Sequence, residues 1–164
     1  MNYITLAGFA GVMLSGYIQV DHALVTSFVE RWRPETHTFH LPVGEATITL
    51  QDIEVLWGLC IDGPLVSERD ISYKHHEWVG FCQILLGITP TGTDIKGGRI
   101  KASCLSVALS EYFLDDAPDE MCRQRARTYI LLLLRGLLFP DHSCNMAPLC
   151  FMMLLRDLET VWTP

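Results

Sequence analysis

Ionisable side chains are densest between residues 31 and 40, where Arg31, Arg33, Glu35, His37 and His40 occur together. Imidazole and carboxylate groups can hold a metal ion or transfer protons when their spacing brings them to one point. His37 and His40 are three residues apart in an alternating, strand-like segment, so their side chains point to opposite faces. No CxxC or HExxH motif accompanies them. We therefore expect hydrogen bonds and ion pairs that fix the path of the chain, rather than a metal site.

Two further clusters contain catalytic residue types but lack catalytic spacing. Residues 75–77, His-His-Glu, fall inside a predicted helix without the i, i+4 histidines of a zinc protease helix. Residues 141–143, Asp-His-Ser, are adjacent in a turn that follows a proline, and adjacency along the chain is not triad geometry. These patterns predict a protein that is not an enzyme and that needs no cofactor.

One helix carries the only dense basic cluster, in which Arg123 and Arg127 are i, i+4 neighbours and share a helix face. In one interpretation they contact phosphate or an acidic partner. In the other, which we favour, they form ion pairs with Asp119, Glu120 or residues 115–116, as is common near the start of a helix. The sequence leaves both open.

Lys96 and Arg99 flank a pair of glycines and form a second, weaker candidate for an anion site. The segment matches neither the GxxxxGK[ST] phosphate loop nor the GxGxxG dinucleotide motif. The formal net charge of −7 weighs against non-specific nucleic-acid affinity. Nucleic-acid binding through local basic residues is the alternative hypothesis.

The spacing of apolar residues predicts a mainly α fold. We expect one domain, residues 1–164, of about six helices with one small β-hairpin near residues 37–50. The predicted helices cover residues 21–32, 50–57, 70–86, 100–114, 118–139 and 147–159. The fifth is apolar all round after Tyr129, which is typical of a helix at the centre of a core. Residues 89–98 are predicted to form a loop.

The hairpin and the helices beside it depend on capping and turn residues. Asp21 can cap the first helix, and Pro34 ends it, because the residue before a proline avoids the helical region. Gly58 and Gly87 are expected to end the second and third helices. Pro42-Val43-Gly44 predicts the hairpin turn, and Thr49 with Asp52 predicts a capping box. The residues assigned to this structural role are Trp32, Pro34, His37, Phe39, His40, Pro42, Gly44 and Asp52.

Two apolar faces are predicted to be buried. The face of the first helix consists of Leu24, Val25, Phe28, Val29 and Trp32. The face of the hairpin consists of Phe39, Leu41, Ala46, Ile48 and Leu50. We expect the hairpin to dock the first helix against the core. The positive mean hydropathy, +0.24, suggests that some apolar surface is left for a partner.

Several features predict a soluble intracellular protein. No Lys or Arg precedes Arg31, so the apolar N-terminus lacks the positive region of a signal peptide. No apolar run reaches the roughly 18 residues that a membrane span needs. The six cysteines form no CxxC pair, and we expect buried, reduced thiols.

Three stretches of the sequence resemble the plant mobile domain family, over about residues 8–159. They are LVTSFVERWRPETHTFHLPVGEATITLQDIEVLWGL, RARTYILLLLRGLLFPDHS and LLRDLE. Family sequences continue beyond the last stretch, so we expect this chain to be a C-terminally truncated copy.

The resemblance implies a non-catalytic plant nuclear domain that acts in meristem maintenance, transposon silencing and gene expression through protein complexes. The implied partner is a phosphatase-like protein or another plant mobile domain protein. A transposon-derived nucleic-acid-binding module is the alternative. Family members are also called aminotransferase-like, yet pyridoxal phosphate chemistry needs a Schiff-base lysine beside a phosphate cradle. Lys74, Lys96 and Lys101 lack such surroundings in the sequence, so we expect no transaminase activity.

Overall fold

The computed structural model describes residues 3–15, 19–62, 73–110, 117–138, 145–156 and 158. The chain divides into two compact units: a small unit, Ala10–Ile61, and a large unit, Met1–Phe9 with Asp62–Pro164. The described residues include eight α-helices, which confirms a mainly α protein. The predicted hairpin is present, but the β structure is larger than predicted, because the described residues form two three-stranded antiparallel sheets. That the chain is one domain stays a prediction.

The described part of the small unit contains one three-stranded sheet and three helices. Its elements are α2 (Ala10–Leu14), α3 (His22–Arg31), β1 (Trp32–Arg33), β2 (Thr38–Leu41), β3 (Gly44–Ala46) and α4 (Leu50–Trp57). The β2–β3 pair is the predicted hairpin, with Phe39 opposite Ala46. Its turn ends at Gly44, whose φ of 135° is rarely open to a residue with a side chain. Strand β1, which places Trp32 opposite Phe39, was not predicted from the sequence.

Both helix caps predicted for the small unit are confirmed. The Asp21 carboxylate accepts two backbone N–H groups in the first turn of α3, at 3.0 and 3.1 Å. At α4, the Thr49 N–H donates to Asp52 Oδ2 at 2.7 Å, and the Asp52 N–H donates to Thr49 Oγ1 at 3.3 Å. Gly58 then ends α4 in the left-handed conformation, with φ 65°. These contacts satisfy backbone groups that helix ends leave unpaired.

The large unit is built around one long helix. Its elements are α1 (Tyr3–Leu6), α5 (His75–Leu86), β4 (Ile95–Lys96), β5 (Arg99–Lys101), α6 (Ala102–Ser110), α7 (Asp119–Leu133), a π-helical turn (Leu134–Leu138), β6 (Met146–Pro148) and α8 (Cys150–Leu154). Helix α7 contacts α1, α5, α6 and α8. Ile130 and Leu131 are fully buried there, so the predicted central helix is confirmed. Within the described residues, no helix combines the length and apolar character needed to cross a membrane.

The second sheet replaces part of the predicted loop at residues 89–98. Gly97 and Gly98 form a two-residue turn with φ of 54° and 70°, so β4 and β5 make a tight hairpin. Two positive φ angles match the type I′ turn, which suits the twist of antiparallel strands. Ile95 and Ile100 face each other across the hairpin and are buried. The Gly-Gly pair between two isoleucines was the sequence signal for this hairpin.

Sheet formation also shortens two predicted helices. Ile100 was expected to start a helix but lies in β5, and α6 begins at Ala102. Ala147 was expected to start the last helix but lies in β6, opposite Ile100. Hydrogen bonds between these distant segments outweigh the local helical pattern. The predicted helix at 70–86 begins at His75; residues 70–72 lie outside the described residues.

Candidate functional site

The two hairpin histidines lie in different local settings. Across the β2–β3 pair, His40 Nε2 lies 3.0 Å from Glu45 Oε1. His37 occupies the turn before β2 with φ 53°, and its carbonyl accepts a hydrogen bond from Thr47 Oγ1 at 2.8 Å. Such an angle is uncommon for a residue with a side chain. In the part of the chain that the structure describes, no three His, Cys, Asp or Glu residues are placed to hold a metal ion.

Arg123 and Arg127 form the ion pairs that the sequence left as one of two alternatives. Arg123 Nη2 lies 3.1 Å from Asp119 Oδ2, and Arg127 Nη1 lies 3.1 Å from Glu120 Oε1. The Arg123 guanidinium also lies over the Tyr3 ring, 5.4 Å from its centroid. The hydrogen bond that Tyr3 donates to Asp119 raises the pKa of the Tyr3 hydroxyl. Arg123 therefore ties α1 to the first turns of α7.

Arg127 is only 5% exposed, and its guanidinium donates hydrogen bonds to backbone carbonyls inside the large unit. Nε donates to the Leu155 carbonyl at 2.9 Å, Nη1 to the Leu85 carbonyl at 3.2 Å, and Nη2 to the Arg156 carbonyl at 3.1 Å. These bonds join the end of α5 and the residues after α8 to the middle of α7. A phosphate contact by Arg127 has no support in this geometry, because the planar donor fork is already occupied inside the unit.

Lys96 and Arg99 lie opposite each other at the tip of the β4–β5 hairpin, and both are exposed. The Gly98 carbonyl accepts the Leu149 N–H at 2.9 Å, which holds the hairpin turn against the segment before α8. Two neighbouring cations on a fixed turn could contact an anion. They lie on a different element from Arg123 and Arg127, which are engaged in ion pairs on α7.

A cleft of about 380 Å³ opens on the large unit. Its lining consists of Gly87, Ile88, Thr89, Asp94, Ser103, Cys104, Val107 and Ala108. Hydrogen bonds from the Thr91 hydroxyl and N–H, and then from Lys101, lower the pKa of Asp94 to about 2. This carboxylate is therefore ionised and already engaged, which suits neither a general acid nor a general base near neutral pH.

The thiols near this cleft are also poorly suited to catalysis. Burial raises the pKa of Cys104, and burial raises the pKa of the fully buried Cys82 to about 12. Both thiols are protonated at neutral pH, whereas the thiolate is the nucleophile. Five free cysteines lie among the described residues, and Cys60 is exposed. The expectation of buried thiols therefore holds fully for Cys82 alone among these five.

The most distinctive surface is apolar and belongs to the small unit. The sequence predicted that the apolar face of the helix at residues 21–32 is buried. This prediction is wrong, since four apolar residues of α3 are exposed: Leu24, Val25, Phe28 and Val29. We call these four residues the α3 stripe. The centroid of the Phe28 ring lies 5.3 Å from that of the Phe39 ring. Trp32 packs against Phe39, with their ring centroids 4.9 Å apart. The apolar side of an amphipathic helix is normally covered by neighbouring elements of the core.

A second exposed surface lies on α4. Val55 is 84% exposed and Leu56 is 73% exposed, and both share the outward side of the helix with Asp52 at i−3 and i−4. We call Asp52, Val55 and Leu56 the α4 outer face. The opposite side packs on α2, where a Cβ at Gly11 would lie 2.0 Å from the Trp57 carbonyl oxygen.

The hairpin face was also predicted inward, with mixed outcome. Phe39 and Leu41 are half-buried, whereas Ala46, Ile48 and Leu50 are exposed. These exposed surfaces were not predicted from the sequence, because an amphipathic pattern does not show whether another element covers its apolar side. The positive mean hydropathy was the one signal that apolar area would remain.

Comparisons with known proteins give one consistent result. A family model described as "Plant mobile domain" matches residues 8–163. The chain is 41% identical over 155 residues to Serine/threonine-protein phosphatase 7 long form homolog of Arabidopsis thaliana, covering 94% of this chain and 11% of that protein. It is 37% identical over 163 residues to Protein MAIN-LIKE 2 of the same plant, covering 99% of this chain and 24% of that protein.

A third relative, Protein MAINTENANCE OF MERISTEMS of Arabidopsis thaliana, is 32% identical over 154 residues. The match covers 93% of this chain and 31% of that protein. The chain thus spans less than a third of the length of each of these three relatives. No solved structure matches it.

Proposed function

Because this chain belongs to the plant mobile domain family, as its sequence resemblance predicted, we propose that it is a non-catalytic interaction domain of plant nuclear protein complexes. These complexes act in meristem maintenance, transposon silencing and the control of gene expression. A relative carries the name MAINTENANCE OF MERISTEMS, and the others carry MAIN-LIKE and phosphatase 7 names. The proposal extends the first name to this chain and takes a phosphatase-like or plant mobile domain protein as the partner.

The α3 stripe is the observation that carries the proposal. Large apolar side chains exposed together on one helix are typical of protein-binding surfaces. Val29 is 67% exposed and Leu24 is 53% exposed, although α3 has a complete N-cap and needs no partner to define its ends. Helices of this kind bind partners by laying their apolar side into a groove.

Absence of catalysis is part of the proposal, and the large unit supports it. The described cleft offers an engaged Asp94 carboxylate and a Cys104 thiol whose pKa is raised. Lys101 Nζ lies 3.1 Å from Asp94 Oδ1, so the side chain of this lysine is already engaged by a carboxylate. Titration with pyridoxal phosphate should produce no saturable absorbance band that corresponds to one tightly held cofactor per chain and survives dialysis. Appearance of that band would reverse the assignment.

The decisive experiment is affinity purification of the tagged chain from plant nuclei, with half of each sample treated with nuclease. The variant Leu24→Asn with Val29→Thr removes apolar area from the α3 stripe at exposed positions. Met121→Gln, at an exposed position of α7, is the matched control. We expect nuclease-resistant partners with the wild type and the control, and their loss with the α3 variant. Retention of all partners by the α3 variant would refute the role of the stripe.

A nucleic-acid-binding module remains the second candidate, supported by Lys96 and Arg99 at one exposed hairpin tip. Partners lost on nuclease treatment would favour it. Lys96→Ala with Arg99→Ala should then weaken binding to double-stranded DNA and reduce its salt dependence by about two phosphate contacts. Arg127→Ala is unsuitable for this test, since Arg127 holds the fold together.

A further inference from the structure

The sheet β4–β5–β6 of the large unit has one covered face and one outward face. Ile95, Ile100 and Ala147 are paired in that order across the three strands, and all three are buried. Successive side chains of a strand point to opposite faces, whereas directly paired residues share a face. The residues on either side of the buried three therefore share the opposite face, which we call the outer sheet face. It consists of Asp94, Lys96, Arg99, Lys101, Met146 and Pro148.

Positive charge is concentrated at one end of the outer sheet face, beside the hairpin turn. Lys96 and Arg99 are directly opposite each other there, and both side chains are exposed. Two like charges in directly opposite positions repel each other, and an anion bound between them would relieve that repulsion. This end of the face therefore favours a negatively charged group on a ligand.

The other end of the face is already neutralised. Asp94 lies beside Lys101, since the Lys101 N–H donates to the Asp94 carbonyl at 2.9 Å and extends the strand pairing by one residue. The Asp94 carboxylate accepts hydrogen bonds from the Thr91 N–H at 2.9 Å and from Lys101 Nζ at 3.1 Å. The net positive charge of the outer sheet face thus belongs to Lys96 and Arg99.

Apolar area lies next to these two cations, on strand β6. Pro148 is paired with Arg99, and Met146 is paired with Lys101. Both side chains are half-buried, so each keeps part of its surface open to a ligand. Cations and apolar side chains therefore stand side by side, within two strands of one small sheet.

The strands that carry this face are held in place by the rest of the large unit. The Gly98 carbonyl accepts the Leu149 N–H at 2.9 Å, and the Ala102 N–H donates to the Asn145 carbonyl at 2.8 Å. The buried side chains of Ile100 and Ala147 fix the opposite face of the sheet. A surface that is already ordered loses less conformational entropy when a ligand binds.

Charge and apolar area together decide which class of ligand fits best. A nucleic acid carries a dense row of phosphates, which the net charge of −7 opposes and which would leave Met146 and Pro148 without a matching contact. A protein segment with a few carboxylates followed by apolar residues matches both parts of the face. In an extended segment, side chains on one side recur roughly every 6.8 Å, as they do along β5.

We infer that the outer sheet face binds an extended segment of a partner protein in which acidic side chains are followed by apolar ones. The acidic side chains would lie at Lys96 and Arg99, and the apolar ones would lie on Pro148 and Met146. The inference rests on the proposed interaction function and gives it a second surface, on the large unit. The α3 stripe would bind apolar area, and the outer sheet face would select for negative charge.

The test uses the full chain and three short fluorescent peptides. The acidic peptide has two glutamates followed by two valines at alternate positions, with serines between them. In the second peptide glutamines replace the glutamates, and in the third serines replace the valines. Binding is measured by fluorescence anisotropy. The acidic peptide should bind at least about tenfold more tightly than the glutamine peptide, by a margin that shrinks as salt rises, and severalfold more tightly than the serine peptide.

A pair of matched variants locates the binding. Lys96→Gln with Arg99→Gln removes two charges from the outer sheet face and should weaken binding of the acidic peptide about tenfold or more. Arg33→Gln with Arg156→Gln removes the same charge from exposed positions outside the sheet and should leave binding unchanged. The comparison separates a local site from the effect of net charge. Circular dichroism checks that each variant is folded.

Reversal of the charges gives a test that loss of folding cannot imitate. Lys96→Glu with Arg99→Glu should abolish binding of the acidic peptide. The same variant should bind a peptide that has lysines in place of the glutamates, which the wild type should not bind. A reversed variant that binds neither peptide while remaining folded would overturn the inference.

Two further outcomes would also overturn it. One is equal binding of the glutamate and glutamine peptides, or equal binding of the acidic peptide by the two matched variants. The other is tighter binding of duplex DNA than of the acidic peptide, lost on removal of the charges of Lys96 and Arg99, which would support the nucleic-acid candidate instead. Loss of nuclear partners with the α3 variant would still leave the proposed function standing, because that variant does not alter the outer sheet face.

Discussion

The large unit buries the apolar side chains of its longest helix, whereas the small unit exposes those of its two longest helices. Helix α7 carries fully buried Ile130 and Leu131, and α3 and α4 have no fully buried residue at all. Among the described apolar residues of the small unit, only Val12 is fully buried. Both units contain helices with defined ends. A segment of this chain can therefore form a helix without contributing buried side chains to a core.

The difference arises from how many elements meet each helix. Helix α7 contacts α1, α5, α6, α8 and β6, and these neighbours bury its middle, including Ile130 and Leu131. Helix α3 meets β2, and α4 meets α2, so each has cover on one side. Caps and turns can define a helix locally, but burial needs neighbours from distant parts of the chain. The small unit is therefore the place where we expect partners to bind through apolar helix faces.

Hydrogen exchange should show the largest contrast between the units. Amides in the middle of α7 should exchange roughly a thousandfold more slowly than those of α3, because α7 opens only when the large unit unfolds. Mass spectrometry of peptides from the labelled chain measures both. Equal protection of α3 and α7 would contradict this difference between the two units and would mean that something covers the α3 stripe.

Core truncation should show the next largest difference. Ile130→Ala removes a fully buried side chain and should lower the free energy of unfolding by about 2–5 kcal/mol. Phe39→Ala in the small unit should cost about 1–2 kcal/mol, since the half-buried ring makes edge contacts worth roughly 0.5–1.5 kcal/mol each. Urea unfolding compares the two. A Phe39→Ala cost as large as that of Ile130→Ala would show a true core in the small unit.

Arg127→Met should destabilise the large unit by about 2–3 kcal/mol, because it leaves buried carbonyl groups without donors. Arg156→Met is the control: its side chain is exposed, and only its backbone carbonyl bonds Arg127. Thermal and urea unfolding of both variants measure the difference. Equal stability of the two variants would contradict a structural role for Arg127.

Asp94→Asn should have the smallest effect, and the effect should depend on pH. The folded pKa of Asp94, about 2, lies below its ordinary value of 3.8. Its ionised form thus stabilises the fold above pH 3.8, and this contribution is lost as the pH falls towards 2. Urea midpoints of wild type and variant should differ at pH 6 and converge between pH 4 and 2. A difference that persists unchanged at pH 2 would assign the effect to packing.

Local features of the fold could be predicted because their causes are local. The Asp21 and Thr49–Asp52 caps, the Pro42-Val43 turn and the Gly58 and Gly87 helix ends all depend on residues within a few positions of each other. The β4–β5–β6 sheet could not be obtained in full, because β6 lies more than forty residues from β5 along the chain. The family, too, was recognisable from sequence alone.

The contacts of Arg123 and Arg127 also differ in whether neighbouring or distant residues in the sequence determine them. The pairing of Arg123 with Asp119 follows from i, i+4 spacing, so the sequence already favoured it. The burial of Arg127 does not, because its acceptors Leu85 and Leu155 come from other elements. Sequence alone determined the caps, the turns, the central apolar helix and the amphipathic pattern of α3. Tertiary structure decided which apolar sides are covered, because coverage depends on elements far apart in the chain that only the folded molecule brings together.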